Sequence, residues 1–278
     1  MRITKKNISN ILSSQQRIAG ALLDRGATLN LLKGTNVITI CFANREYLWV
    51  GNYLPTIPYN VGLCISNKYF VTRVLEASNI SVPKSVFVYP NQSNIQSVIS
   101  ELEYPLVLKQ ENSQLPIASI TAIQNYDGLK AAITDMSQHG MGMLLQEYAK
   151  GNEYRFFIDS QDRIQILKKT DGLLNAFSEN HQSFVAPQVS FTPVKNIHKS
   201  WIDFGKKVLN AFAPMPYISF QCITEDVSLP VKDQQPTVIE IYHSASIHYD
   251  HSLFKCEKNK LIPIKEQVID SVVDSILS

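Results

Sequence analysis

Apolar residues along the chain recur at two spacings, one typical of helices and the other of strands. Where they recur every three or four positions, the pattern predicts amphipathic helices, in segments 13–26, 66–80, 94–102, 125–136, 199–212 and 264–277. Short apolar or alternating runs predict strands, in segments 37–43, 45–55, 81–89, 104–110, 142–148, 217–223 and 237–243. A hairpin is predicted over 152–169, with its turn at 159–162. Interleaved helices and strands predict a mixed fold, α/β or α+β.

The start of the helix over 66–80 is predicted from its capping chemistry. Ser66 carries a hydroxyl oxygen that can accept a hydrogen bond from an amide of the first turn. Four apolar residues of this helix then fall on one face, which is predicted to be buried: Phe70, Val71, Val74 and Leu75.

The order of the predicted elements divides the chain into three parts. Residues 1–65 form a small leading α/β module, residues 66–145 a first α+β subdomain and residues 146–278 a second. No segment is of low complexity, and no repeat of fixed period occurs. A chain of 278 residues, of which 45% are hydrophobic, is long enough to bury a large core.

Charge and composition limit the classes of partner. Basic residues number 26 and acidic residues 24, so the net charge of +2 gives no reason to expect a nucleic acid or a membrane surface. A small molecule is the expected ligand. The N-terminal residues contain no apolar stretch typical of a signal peptide, and no run of about 18 apolar residues occurs. The cysteines lack the spacing of a metal site or disulfide frame, which favours reduced thiols and a cytoplasmic location: Cys41, Cys64, Cys222 and Cys256.

Glu240 is an unusual residue in its sequence context. It lies in the run VIEIY, between apolar residues that predict a strand covered on both faces. An unpaired carboxylate would be costly in such a strand. A cation is therefore predicted opposite Glu240.

Four motifs occur along the chain in a definite order: ISNKYFVTRVLEASNISVPKSVFV, YPLVLKQ, MLLQEYAKGNEYRFFI and VIEIY. Together they resemble the ATP-grasp superfamily, and within it the ATP-grasp part of bifunctional glutathione synthetases and cyanophycin synthetases. Several motifs in order are more specific than any one alone. The resemblance implies two α+β subdomains that grip a nucleotide in a cleft. It also implies an ATP-driven joining of a carboxylate to an amine through an acylphosphate.

Two lysines would hold the nucleotide, as the resemblance implies. Lys68 would face it from a helix, and Lys109 would reach the phosphates from the end of a strand. Taken alone, a lysine near a helix N-terminus such as Lys68 is ordinarily solvated. Solvation is less expected for Lys109, which ends the apolar run PLVL.

The stretch LLQEYAKGNEYR would form the hinge between the two subdomains. The resemblance places the backbone of Gln146, Glu147 and Tyr148 along the adenine edge, and Glu153 on or near the ribose. Arg155 would contact a phosphate or the acylphosphate, because its planar guanidinium suits anionic oxygens. The alternative for this pair is a salt bridge between Glu153 and Arg155 on one strand face.

Lys168 and Lys169 end the strand that follows, where relatives often carry a basic residue facing the substrate. Lys168 is the candidate for this catalytic position. A solvated hairpin end is the alternative for both lysines.

The resemblance places Glu240 at the carboxylate that bridges magnesium ions over the triphosphate. The family's other two ligands are an Asp one strand earlier and an Asn two residues later, and here Gln221 and Tyr242 stand at those positions. Gln221 offers a neutral carbonyl oxygen, whereas a protonated phenol is a poor ligand for Mg²⁺. ATP and Mg²⁺ are thus the expected cofactors, with a degenerate metal site and less support for a second ion. Asp226 is an alternative ligand.

Two further features concern loops. No glycine occurs between Gln110 and Ile123, where relatives place a glycine-rich turn that covers the phosphates. His243, His248 and His251 fall within nine residues and could form a metal site, although an ordinary polar loop is the favoured interpretation.

Two functions remain after this comparison. The first is an ATP-dependent ligase that joins an amino acid or short peptide through an acylphosphate. The second is an inactive relative that serves as a binding or regulatory subunit. The prediction of a triphosphate clamped between the two lysines fails if either lysine faces bulk solvent or if the chain's own atoms fill the cleft, and only the architecture then remains.

Overall fold

A computed structural model of the protein describes residues 1–51, 53–90, 92, 94–112, 120–137, 142–171, 190–242 and 266–278. The strands in these ranges form three antiparallel sheets, which confirms the predicted α+β class. Two short 3-10 turns, Ile8–Asn10 and Val231–Asp233, accompany the helices. No helix within these ranges combines the length and hydropathy needed to cross a bilayer.

The first sheet is the centre of the N-terminal module. Its strands lie side by side in chain order: β1 (Arg2–Ile3), β2 (Thr28–Leu31), β3 (Val37–Phe42) and β4 (Arg45–Val50). Two helices share its core, α1 (Ser13–Asp24) and α7 (Glu266–Leu277). Because α7 is the last helix of the chain, the N-terminal module is completed by C-terminal residues and not by residues 1–65 alone.

The second sheet carries its helices on one face. Its spatial order is β5 (Ser85–Val88), β8 (Met143–Glu147), β6 (Leu106–Gln110) and β7 (Ile120–Ile123). The covering helices are α4 (Ile95–Val98) and α5 (Tyr126–Ser137). Side chains alternate along a strand, so Leu106 and Leu108 enter this core while Lys109 points to the opposite face.

The third sheet is the largest in the described part of the chain. Its order is β11 (Ser190–Pro193), β10 (Ile164–Asp171), β9 (Asn152–Asp159), β12 (Tyr217–Thr224) and β13 (Thr237–Tyr242). One face is covered by α6 (Ser200–Ala211), α2 (Tyr59–Ser66) and α3 (Lys68–Ala77). The predicted boundary at residue 66 therefore does not separate two cores, because α2 and α3 pack on the same sheet.

A β-bulge interrupts the pairing of β12 with β13. Gln221 lies opposite Glu240 and Cys222 lies opposite Val238, so Ile239 is the extra residue. The bulge lets Val238 and Ile241 both enter the core beneath α6. Glu240 consequently points away from that core.

Helix α3 begins one residue later than predicted. Its N-cap is Asn67, whose side-chain oxygen accepts hydrogen bonds from two amides of the first turn. Ser66 instead ends α2, where its hydroxyl donates to the carbonyl oxygen of Gly62. Val71 and Leu75 are buried as predicted, but Phe70 is exposed. Helix α2 and strand β2 had no counterpart in the predicted elements.

Candidate functional site

Three polar side chains form a row across the third sheet. Arg155 on β9 lies opposite Gln221 on β12, which in turn lies opposite Glu240 on β13. Residues paired across antiparallel strands point to the same face of a sheet. This row therefore lies on the face opposite to α6. At its Glu240 end it borders a narrow cleft that Lys109 and Gln146 line from the second sheet.

Lys68 reaches this row from the first position of α3. The backbone N–H of Lys68 donates to the carbonyl oxygen of Glu111, and the amide of Asn67 donates to the Glu111 carboxylate. These two bonds attach the start of α3 to the end of β6. The Nζ of Lys68 then lies 3.2 Å from Oε1 of Glu240.

Lys109 approaches the same carboxylate from the second sheet. Its side chain is buried, and Nζ donates a hydrogen bond of 3.0 Å to the carbonyl oxygen of Ile239. Ile239 is the bulged residue of β13, and a bulge leaves its residue outside the regular ladder of hydrogen bonds. Two lysines from different elements therefore meet adjacent groups of one strand.

The charges in this cluster shift two pKa values. Burial lowers the pKa of Lys109, and the Glu240 carboxylate offsets only part of that effect. Burial raises the pKa of Glu240, but Lys68, Lys109 and a hydrogen bond from Tyr242 outweigh burial and bring the pKa below its ordinary value. Glu240 is thus held ionised, and the cation predicted opposite it is Lys68 with support from Lys109.

Arg155 lies against aromatic rings. Its Cζ is 4.2 Å from the ring centre of Tyr242 and 5.7 Å from that of Phe191, distances typical of cation–π contacts. The guanidinium is buried, and Tyr242 also hydrogen-bonds to Glu240. Tyr242 therefore connects the arginine to the carboxylate.

Glu153 pairs with a lysine of the neighbouring strand. The Nζ of Lys169 lies 2.6 Å from Oε2 of Glu153, on the cleft face of the sheet. Lys168 is paired in register with Tyr154, whose ring belongs to the core beneath α6. The structure thus brings Lys169 to the cleft and places Lys168, the candidate chosen from the sequence, on the opposite face.

The hinge residues are engaged within the chain itself. The backbone N–H of Glu147 donates to the carbonyl oxygen of Lys84, and that of Tyr148 donates to the carbonyl oxygen of Pro105. The Glu147 carboxylate accepts a hydrogen bond from the backbone of Glu103. Of the three hinge residues, Gln146 lines the cavity beside Lys109 and Glu240, and the backbone N–H groups of Glu147 and Tyr148 are occupied within the chain in this conformation.

The described residues do not fit a magnesium site. Mg²⁺ favours about six oxygen donors, usually with one or two carboxylates. Near Glu240 the described chain offers the amide of Gln221 and a phenol, and no group of three ligating His, Cys, Asp or Glu side chains occurs within it. Asp226 lies beyond the end of β12, where it accepts a hydrogen bond from the backbone of Ser228.

The space between the two lysines and Glu240 is nearly filled. Lys68, Lys109, Gln146 and Glu240 line a cavity of about 10 Å³, which has room for one water molecule. Neither amine faces bulk solvent, since the side chain of Lys68 is 15% exposed and Lys109 is buried. In this conformation the charged groups pair with one another across the cavity.

Some predicted features lie outside the described residues. These are residues 113–119 of the glycine-free stretch and the histidines at 243, 248 and 251. Among the described cysteines, Cys222 is buried, Cys41 and Cys64 are half-buried, and all three are free thiols.

Three contributors to the site were not assigned their roles from the sequence. Asn67 and Ile239 position the two lysines, and Tyr242 was noted only as a departure from the family pattern. The Asn directly before an apolar helical pattern was an available signal for the cap. The bulge at Ile239 has no comparable signal, because it depends on how β13 pairs with β12.

Comparisons with known proteins identify the fold. No protein-family model matches the chain. A D-alanine–D-alanine ligase of Clostridium perfringens is 20% identical over 230 residues, 79% of this chain and 70% of that protein. A bifunctional glutathione synthetase of Pasteurella multocida has a TM-score of 0.58 at 13% identity, covering 96% of this chain and 44% of that one. A D-alanine–D-alanine ligase of Bacillus anthracis complexed with ATP has a TM-score of 0.53 at 12% identity, covering 77% and 65%. The resemblance to ATP-grasp ligases is thereby confirmed at the level of the fold.

Proposed function

From its ATP-grasp fold, we propose that this chain binds ATP between its second and third sheets and uses it to join a carboxylate to an amine. The observation that carries the proposal is the meeting of Lys68 and Lys109 at Glu240. These lysines come from the two elements on which the sequence predicted phosphate contacts. Fixed cations at that place are what the phosphates of a nucleotide require.

The reaction would proceed in two steps. A substrate carboxylate oxygen attacks the γ-phosphorus of ATP, so that an acylphosphate forms and ADP leaves. The amine nitrogen then attacks the acyl carbon, which forms the C–N bond and releases phosphate and a proton. Lys68 and Lys109 would offset the phosphate charge, and the guanidinium of Arg155 would hold the carboxylate or acylphosphate oxygens.

Binding requires some of the present contacts to change. The salt bridge between Lys68 and Glu240 occupies the lysine that would contact phosphate, and the enclosed space has a volume of only about 10 Å³. As the second and third sheets separate, a polyphosphate would therefore replace the Glu240 carboxylate as the partner of Lys68. Subdomain motions of this kind commonly enclose ligands in enzymes.

An amino acid or a short peptide is the substrate class that we propose. The similar proteins include a D-alanine–D-alanine ligase and a bifunctional glutathione synthetase, whose names denote amino-acid and peptide ligases. The cluster of Arg155, Lys169 and Glu153 would suit a zwitterion, because it offers both signs of charge on one sheet face.

A second candidate is a binding subunit without catalytic activity. Two observations favour it: the amides of Glu147 and Tyr148 are already paired, and Tyr242 and Gln221 stand where the family has metal ligands. Such a protein would bind nucleotide, or a fragment of it, without turnover.

One pair of measurements separates the two candidates. Purified protein is incubated with ATP and a mixture of amino acids, and released phosphate is measured beside a thermal-shift titration with ATP. A ligase releases phosphate only when amino acids are present, whereas the binding subunit gives a thermal shift without release. Lys109→Ala should abolish both signals, and Lys130→Ala, on the exposed face of α5, should leave both unchanged. Absence of a thermal shift with the unaltered chain would refute nucleotide binding.

A further inference from the structure

Glu240 is surrounded by hydrogen-bond donors. Lys68 lies 3.2 Å from its Oε1, Tyr242 donates to it, and Lys109 lies on the neighbouring carbonyl. A metal ion at this carboxylate would have to displace the ammonium group of Lys68 and the phenol, or sit beside two positive charges. Both outcomes disfavour a divalent cation at Glu240.

The described side chains of the cleft already carry excess positive charge. Lys68, Lys109, Arg155 and Lys169 are cations, whereas the acidic residues among them are Glu153 and Glu240. These side chains therefore carry a net charge of +2, which is equal in size and opposite in sign to the charge of a phosphate monoester dianion. Lysine and arginine can stabilise phosphoryl oxygens in the place that metal ions occupy in other enzymes.

We propose that this cleft binds the phosphate groups of its ligand as a metal-free anion. In this arrangement Glu240 is the counter-ion of Lys68 in the free protein, and Lys68 moves from Glu240 to the phosphate when the ligand binds. Glu240 does not bind a metal ion. The inference rests on the proposed function in requiring a nucleotide ligand, and it specifies the form in which that ligand binds.

The first experiment titrates ADP into the full chain by calorimetry, once with Mg²⁺ and once with excess EDTA. Metal-free recognition gives binding in EDTA that is at least as tight as binding in Mg²⁺, because Mg²⁺ complexes part of the free ADP. Binding seen only with Mg²⁺ would overturn the inference and leave nucleotide binding intact. If ADP gives no heat of binding and no thermal shift under either condition, nucleotide binding is refuted and the inference is refuted with it.

A substitution tests the role of Glu240 itself. Glu240→Gln removes the charge that competes with phosphate for Lys68, so ADP should bind about tenfold more tightly in EDTA. A carboxylate that held metal would give the opposite result, weaker binding of ADP in Mg²⁺. Asp127→Asn makes the same change of charge on the exposed face of α5 and should leave the affinity unchanged.

A second variant keeps the test decisive if Glu240→Gln does not fold. Gln221→Asp places a second carboxylate opposite Glu240 on the neighbouring strand. ADP should then bind about tenfold more weakly in EDTA, and Mg²⁺ should restore part of the loss. An unchanged affinity in EDTA would contradict the proposed charge balance.

Discussion

Lys109 is the residue with the strongest conflict between stability and function. It is a buried cation whose pKa is lowered by burial, and its hydrogen bond goes to a neutral carbonyl oxygen. Apolar replacement of a whole buried ion pair is often neutral or stabilising, whereas removal of one partner leaves the other uncompensated. A buried charge that lowers stability is expected at a residue that binds a ligand.

Lys109→Met should therefore separate stability from binding. We expect the free energy of unfolding to change by no more than about 1 kcal/mol, because removal of a buried charge offsets the lost hydrogen bond to Ile239 and the lost attraction to Glu240. ADP binding should be lost at the same time. Urea denaturation and calorimetry measure the two effects, with Lys130→Met on exposed α5 as the control. Unchanged ADP binding would show that Lys109 is not a phosphate contact.

Glu240 should give the protein a pH-dependent stability in the acid range. Its pKa in the folded protein lies below the ordinary value of 4.5, so the unfolded chain binds more protons between the two values. The contribution of Glu240 to the free energy of unfolding is thus fully present above pH 4.5 and is lost as the pH falls through the pKa of the folded protein.

This dependence can be measured as the difference in unfolding free energy between the original chain and Glu240→Gln across the acid range. We expect the difference to rise with pH up to about 4.5 and then to level off. A difference that does not vary with pH would show that the lysines do not lower the pKa of Glu240.

At this scale the sequence predicts which residues carry charge in the site but not how the charges combine. Lys109 and Glu240 were identified because a charge in an apolar run is unusual. The contact of Tyr242 with both Glu240 and Arg155 depends on the alignment of strands that are distant in sequence. No local pattern encodes that alignment.

At the scale of elements, the residue that caps the N-terminus of α3 also positions a side chain of the site. Asn67 caps the helix and also donates to Glu111 at the end of β6, so one side chain fixes the position of Lys68 relative to the second sheet. The cap lies directly beside the residue that contacts Glu240.

Asn67→Ala should lower stability and weaken ligand binding together. Loss of an N-cap costs about 1 kcal/mol, and loss of the bond to Glu111 adds to that cost. Asn94, the N-cap of α4, makes no side-chain capping bond, so Asn94→Ala is the matched control with a near-neutral effect. Chemical denaturation of both variants tests this, and equal stabilities would contradict a role for Asn67 in fixing α3.

The hairpin β9–β10 shows why the basic residue of the cleft was assigned incorrectly by one position. Adjacent residues of a strand point to opposite faces, so choosing Lys168 over Lys169 required the register of the pairing. That register places Lys168 opposite Tyr154. The sequence predicts the hairpin and its basic end, but not the face on which each lysine lies.

At the scale of the whole molecule, the three cores that the described residues form do not follow the order of the chain. The α7 helix closes the N-terminal core, and α2 and α3 join the core of the third sheet. Local patterns predicted most elements correctly because periodicity is a property of short segments. They did not predict this grouping, since it arises from contacts between residues far apart in sequence.

The shared core predicts that α7 stabilises the N-terminal module. Ile276 is fully buried among residues of this core, so Ile276→Ala should lower the free energy of unfolding by about 3 kcal/mol. Amide hydrogen exchange should accelerate first in β2 and β3. Equal acceleration in β6 and β8 of the second sheet would mean that the cores do not open separately.

The central claim is that nucleotide phosphates lie against Lys68 and Lys109. An acylphosphate derivative of ATP tests it directly, because a lysine near the phosphates attacks the acyl carbon and releases ATP, and mass spectrometry identifies the modified residue. We expect acylation of Lys68 or Lys109, suppressed by excess ATP. Acylation confined to other lysines, or unaffected by ATP, would contradict the account.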